Sequence, residues 1–77
     1  MQINIEYTDT FSGEANYSWV KRSTVEMPEN ATNRMILRRA KKKMQLSGMQ
    51  GVTSHSGDMI SFKPYGSCTI LFVTFGG

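Results

Sequence analysis

Apolar and polar residues alternate from the start of the chain. Ile3, Ile5 and Tyr7 interleave with Gln2, Asn4, Glu6 and Thr8, the period-two pattern of a half-buried strand over Ile3–Thr8. Asp9-Thr10-Phe11-Ser12-Gly13-Glu14 breaks the pattern: Asp and Ser favour turns through local side-chain bonds, and Gly13 can supply the positive φ of a tight reversal. Alternation resumes over Asn16–Arg22, which predicts Tyr17 and Trp19 on one face and Ser18 and Val20 on the other. It runs on through Val25 and Met27, past an irregularity near Lys21–Ser23, and stops at Pro28, which has no ladder donor. Ile3–Thr8 and Tyr17–Met27 therefore predict an antiparallel hairpin.

The period then changes to that of a helix. Over Asn33–Leu46, NRMILRRAKKKMQL, residues Ile36, Ala40, Met44, Asn33 and Leu37 fall within about one third of the circle at about 100° per residue. Arg34, Arg38, Arg39, Lys41, Lys42 and Lys43 fill the remainder. One face can dock on a sheet and the rest is cationic, with Met35 and Leu46 expected to project from the cationic side. Asn30 or Thr32 can cap the first turn. Glu29 before the helix and the lysines near its end both suit the helix dipole, and Gly48 can take the left-handed position after the last turn.

Strand patterns return downstream. Val52–His55 is a short segment, Ser56-Gly57-Asp58 is a turn, and Met59–Lys63 places Ile60 and Phe62 together. Pro64-Tyr65-Gly66-Ser67 is a second turn. Cys68–Phe75, CTILFVTF, is apolar on both faces, the pattern of a central strand. Gly76-Gly77 reads as a frayed end. The prediction is an α+β fold in one domain spanning residues 1–77. It has a single antiparallel sheet, element order β-β-α-β-β-β, and one amphipathic basic helix packed on one face. Ile36, Leu37, Ala40 and Met44 should be buried, opposite Cys68, Ile70 and Phe72 or their alternates. One helix covers one face, so either the sheet curls on itself or its second face meets a partner, for which a homodimer is the simplest form.

Composition narrows the picture. A chain of 77 residues with 39% apolar and 19% charged content suits a folded domain rather than a disordered tail. At this size only about 60% of the unfolded surface is buried, so the core is marginal. The net charge of +3 hides a polarity, because six of the nine basic residues lie in Arg34–Lys43 and the remainder of the chain is net acidic. A dipolar molecule fits nucleic-acid wrapping less well than a uniformly basic one. Cys68 is the single cysteine, which excludes an internal disulfide and suggests a reducing cytoplasm. No signal-peptide pattern or membrane-length apolar run occurs.

Catalytic chemistry finds little support. His55 and Cys68 supply too few soft ligands for a structural zinc site, and a thiol in an apolar strand reads as inert packing rather than a nucleophile. The carboxylates are scattered, and no phosphate loop, dinucleotide fingerprint or metalloprotease motif occurs. Neither an enzyme nor a bound cofactor is expected. Tyr17 and Trp19, if they shared a face, could stack bases; the alternative is packing under the helix.

EYTDTFSGEANYSWVKR and the late GSCTILFVTF resemble small phage- and prophage-encoded proteins of uncharacterised function. The specific part is YTDTF-x-GEANYSWV, a pattern that strand periodicity does not require. The resemblance implies a setting, the cytoplasm of an infected host cell, where small phage proteins without catalytic motifs commonly act by binding, including as inhibitors of host defence systems. No site residue comes with it. The residues themselves place the contact surface at Met35, Arg38, Arg39, Lys42 and Lys43, joined by the Asp9–Glu14 loop, with an acidic surface on a host protein as partner and no membrane. The alternatives are a nucleic-acid-binding module using the same cations with strand aromatics, and a dimer that sequesters a small nucleotide between subunits.

Overall fold

Isoleucine, leucine and valine at every second position can form a core only if neighbouring strands bring those positions into one block. The computed structural model of the protein, which describes residues 1–12 and 14–75, shows how. Its elements are β1 (Gln2–Phe11), β2 (Glu14–Glu26), α1 (Asn33–Lys43), β3 (Gly51–Ser56), β4 (Met59–Pro64) and β5 (Thr69–Thr74). The strands form one sheet in the order β2-β1-β5-β4-β3, with every neighbouring pair antiparallel. This is the predicted α+β architecture, and β5 takes the central place its two apolar faces demanded.

Register assembles the core. Ile5 lies opposite Val73 and Tyr7 opposite Leu71, while Val73 and Leu71 meet Ile60 and Phe62 on their other side. Val25 completes the row opposite Ile3. Helix α1 lays Ile36 and Ala40 on this block, and both are buried. Leu37 and Met44 are only partly buried at its margin, less than predicted. The strand residues under the helix are Leu71 and Val73, the alternates of Ile70 and Phe72. Each fully buried aliphatic side chain contributes about 1.5–3 kcal/mol relative to exposure. Cys68 does not join the core: it is exposed, immediately before β5.

Helix α1 begins at Thr32, whose Oγ1 accepts a hydrogen bond from the Met35 N–H at 3.2 Å. It ends at Lys43, three residues before the predicted Leu46. The cap is a Schellman turn: Gln45 adopts φ 61°, its N–H bonds to the Lys42 carbonyl at 3.1 Å, and the Leu46 N–H bonds to the Lys41 carbonyl at 2.7 Å. The reversal swings Leu46 into the core, so its expected place on the cationic side is wrong. Gly48 does take a positive φ, but beyond the cap.

The first hairpin is longer than predicted. β1 continues through Asp9 to Phe11, which pairs with Glu14, so most of the expected Asp9–Glu14 loop is strand. Gly13 and the Gly76-Gly77 end lie outside the described residues. The irregularity in β2 falls at Asn16–Trp19 rather than Lys21–Ser23: Thr8 pairs with Val20 and Thr10 with Ala15, leaving four residues opposite Asp9 alone. β3 runs Gly51–Ser56 and contributes nothing buried. A side chain at Gly51 would collide with the Lys63 backbone carbonyl, which explains the glycine where this edge strand starts.

Candidate functional site

Helical spacing places Met35, Arg38, Arg39, Lys42 and Lys43 along one stripe, directed away from the sheet. All five are exposed, with Met35 at 46%. Among the described residues the ion pairs are Arg22 with Glu6 and the N-terminal amine with Glu26, so no helix cation is neutralised. Lys41 is a different kind of cation. Its Nζ donates to the Met49 carbonyl at 2.7 Å and lies 4.4 Å from the centre of the Phe62 ring. It pins the segment after the helix to β4 and is not part of the free stripe. Periodicity could not separate Lys41 from its neighbours, because its two partners, Met49 and Phe62, lie beyond the helix. Arg34, Arg38 and Lys41 also flank a groove of about 430 Å³ closed by Ser47 and Gly48.

The far end of the β1–β2 pair carries a second arrangement that the sequence did not reveal. Asp9 faces the four-residue bulge and accepts hydrogen bonds from the Asn16 amide at 3.0 Å, the Ser18 backbone N–H at 3.0 Å and the Ser18 hydroxyl. The Ser18 hydroxyl and the Asn16 amide hold its carboxyl down to about 2. Tyr17, between these two anchored residues, adopts φ 58°, a left-handed conformation that aromatic residues rarely take. Thr8 is buried beneath, its hydroxyl donating to the Trp19 carbonyl at 2.6 Å.

The bulge sends its two aromatics to different sides. Trp19 meets Tyr7, on the helix-side row, edge to face at 5.4 Å between ring centres. Tyr17 leans over the open face beside Glu6, whose hydrogen-bonding pull and negative charge, with partial desolvation, push the phenol's pKa up from 10.0. The predicted shared face is therefore not formed, and with it goes the paired stacking platform. Tyr17, Arg22, Glu6, Asn4, Phe72 and Met59 surround a concavity of about 550 Å³ on this face. Arg22 Nε donates to Glu6 at 3.0 Å across its rim.

His55 and Cys68 are not brought together. His55 is level with Ile60 and Val73, whereas Cys68 lies five residues along the β5 direction from Val73, about 16 Å at strand rise, and two strands across. Among the described residues, no three His, Cys, Asp or Glu side chains gather as a metal site, and no helix is long and apolar enough to cross a membrane. The fold and sites define a small α+β protein with a cationic helix on one side of its sheet and a polar, aromatic-rimmed concavity on the other. No protein-family model, curated protein or solved structure matches the chain significantly.

Proposed function

We propose that the protein is a non-enzymatic binding protein of phage type that blocks a host protein, a defence component being the leading class, by docking its helix stripe on an acidic surface. The observation that carries this reading is the stripe itself: Arg38, Arg39, Lys42 and Lys43 are exposed and unpaired among the described residues, with Met35 exposed among them. A methionine surrounded by cations suits a protein interface, where an apolar contact sits inside a charged rim. A phosphate-binding surface gains nothing from it. The separation of Tyr17 from Trp19 also weighs against the nucleic-acid alternative. The phage setting rests on the YTDTF-x-GEANYSWV resemblance.

The test is capture from host lysate with and without nuclease, followed by affinity measurement on the captured partner. Reversing Arg38, Arg39 and Lys42 to Glu should leave the melting temperature within a few degrees, because exposed charges contribute little to stability. The same change should abolish binding. Met35→Ala should weaken a protein complex by about tenfold, a cost of about 1.4 kcal/mol, and should leave phosphate binding unmoved. Affinity that collapses steeply with added salt and is lost to nuclease would favour nucleic acid instead. Native affinity in the charge-reversed protein would refute the helix-face reading.

A further inference from the structure

We propose that the open face of the sheet binds a small aromatic anion, a flat ring system bearing a carboxylate or a phosphate, held between Tyr17, Phe72 and Arg22. This site lies across the sheet from the helix stripe and does not rest on the reading given to that stripe.

Three independent observations converge on it. The first is shape: the concavity of about 550 Å³ has the size of a small-ligand site and offers the half-buried Phe72 and Met59 as apolar surface. The second is the placement of Tyr17. A tyrosine with φ 58° is a strained choice where glycine or asparagine would sit easily. The strain is maintained by the residues on either side, Asn16 and Ser18, both tied to the one carboxylate of Asp9. Four residues of β2 and an aspartate bonded to two of them thus serve to hold one half-exposed ring over the sheet. Packing does not account for this, since the ring is 49% exposed.

The third observation is the balance of free donors and acceptors. Glu6 is the carboxylate in the concavity; Arg22, whose Nε donates to its Oε2 at 3.0 Å, offsets its charge, and the Tyr17 phenol lies beside it. Arg22 spends Nε there and keeps its terminal nitrogens free among the described residues. Asn4 accepts from the Thr24 hydroxyl at 3.4 Å through Oδ1, which leaves its amide N–H groups to donate. Arg22 and Asn4 thus turn unspent donors toward the concavity, and these suit an acceptor-rich group such as a carboxylate or a phosphate. Tyr17 and Phe72 supply the stacking and edge contacts that a flat ring would use.

The experiment is titration of the ¹⁵N-labelled full chain, followed by NMR, with two matched pairs of probes. These are 2-naphthoate against 2-naphthol, and adenosine monophosphate against adenosine. At least one anion should shift the amides of Asn4, Glu6, Arg22 and Phe72 saturably, and its neutral counterpart should bind at least tenfold more weakly. Which anion succeeds distinguishes a carboxylate from a phosphate ligand. Tyr17→Gly should melt no lower than the parent, because glycine accepts the positive φ, yet should bind the probe at least tenfold more weakly. If the glycine variant loosens the bulge, Tyr17→Asn, which also tolerates that conformation, should give the same pair of results. The proposal fails if neither anion saturates at millimolar concentration, or if the shifts map to Arg34–Lys43. It fails equally if both Tyr17 variants bind like the parent. Shifts of these amides on dilution of the protein alone would assign the face to a second copy of the chain and overturn the proposal.

Discussion

The two faces of β5 are equally apolar in sequence and unequally covered in the structure. Leu71 and Val73 point under the helix and are fully buried, whereas Ile70 and Phe72, on the other side, remain half-buried beside Thr8, Ser61 and Glu6. The strand reads as central from either face, and it is central, but only one face has a helix to pack against. Hydropathy therefore marks where a strand sits in a sheet better than it marks what covers it. The open face is kept in order by polar devices, a buried threonine bonded to a backbone carbonyl and an arginine–glutamate pair, and the bulge at its margin is anchored by an aspartate.

Substitution on either face of β5 makes this difference measurable. Leu71→Ala should cost about 2–5 kcal/mol in denaturant unfolding. A domain of this length has about 4–12 kcal/mol in total, so that loss takes much of its stability. Phe72→Ala should cost about 1–2 kcal/mol, since only part of the ring leaves water. Equal costs for the two would mean that the open face is covered in solution, and the melting temperature should then rise with protein concentration.

A smaller effect, of opposite sign, is expected at the helix end. Gln45→Gly should stabilise by about 0.5–1 kcal/mol by relieving a side chain from a left-handed position; a lower melting temperature would show that the glutamine makes a contact worth more than its strain. The smallest effect is expected at Asp9, which anchors the bulge. Its folded pKa of about 2 lies below the ordinary 3.8, so its contribution is present above 3.8 and is lost as pH falls toward 2. The parent's melting temperature should drop more steeply through that window than that of Asp9→Asn. Parallel curves would mean that the carboxylate does not hold the bulge.

Periodicity made most of the fold legible. The alternations at Ile3–Thr8 and Met59–Lys63 and the helical spacing of Ile36 and Ala40 are direct records of which side faces the core, and the structure agrees with each except at Thr8, a polar position that is fully buried. What the sequence hid depends on non-local partners. Leu46 looked like part of the cationic face because the helix was extended to it, but Gln45 reverses the chain first. Asp9 looked like a turn former, and it does organise a departure from regular strand, but in the opposite strand, nine residues away at Ser18. Tyr17 and Trp19 share an alternation that holds only if every residue of β2 is extended, and Tyr17 is not. The exposed stripe Met35, Arg38, Arg39, Lys42 and Lys43 was legible because helix faces follow from spacing alone. The open-face concavity was not, because it exists only once the bulge folds over Glu6 and Arg22.

The position of β5 has a consequence for how the chain is made. The strand at the centre of the sheet is the last one synthesised, and it joins β1, from the opposite end of the chain, to β4. Until Thr69–Thr74 leave the ribosome, the β1–β2 and β3–β4 hairpins have no strand to hold them together, and Ile36 and Ala40 have no finished surface to dock on. Pairing across almost the full chain length slows folding, since loop closure must precede the contacts that reward it. The apolar sides of both hairpins thus stay uncovered until β5 pairs, which concentrates the aggregation hazard of this fold in states that lack that one strand.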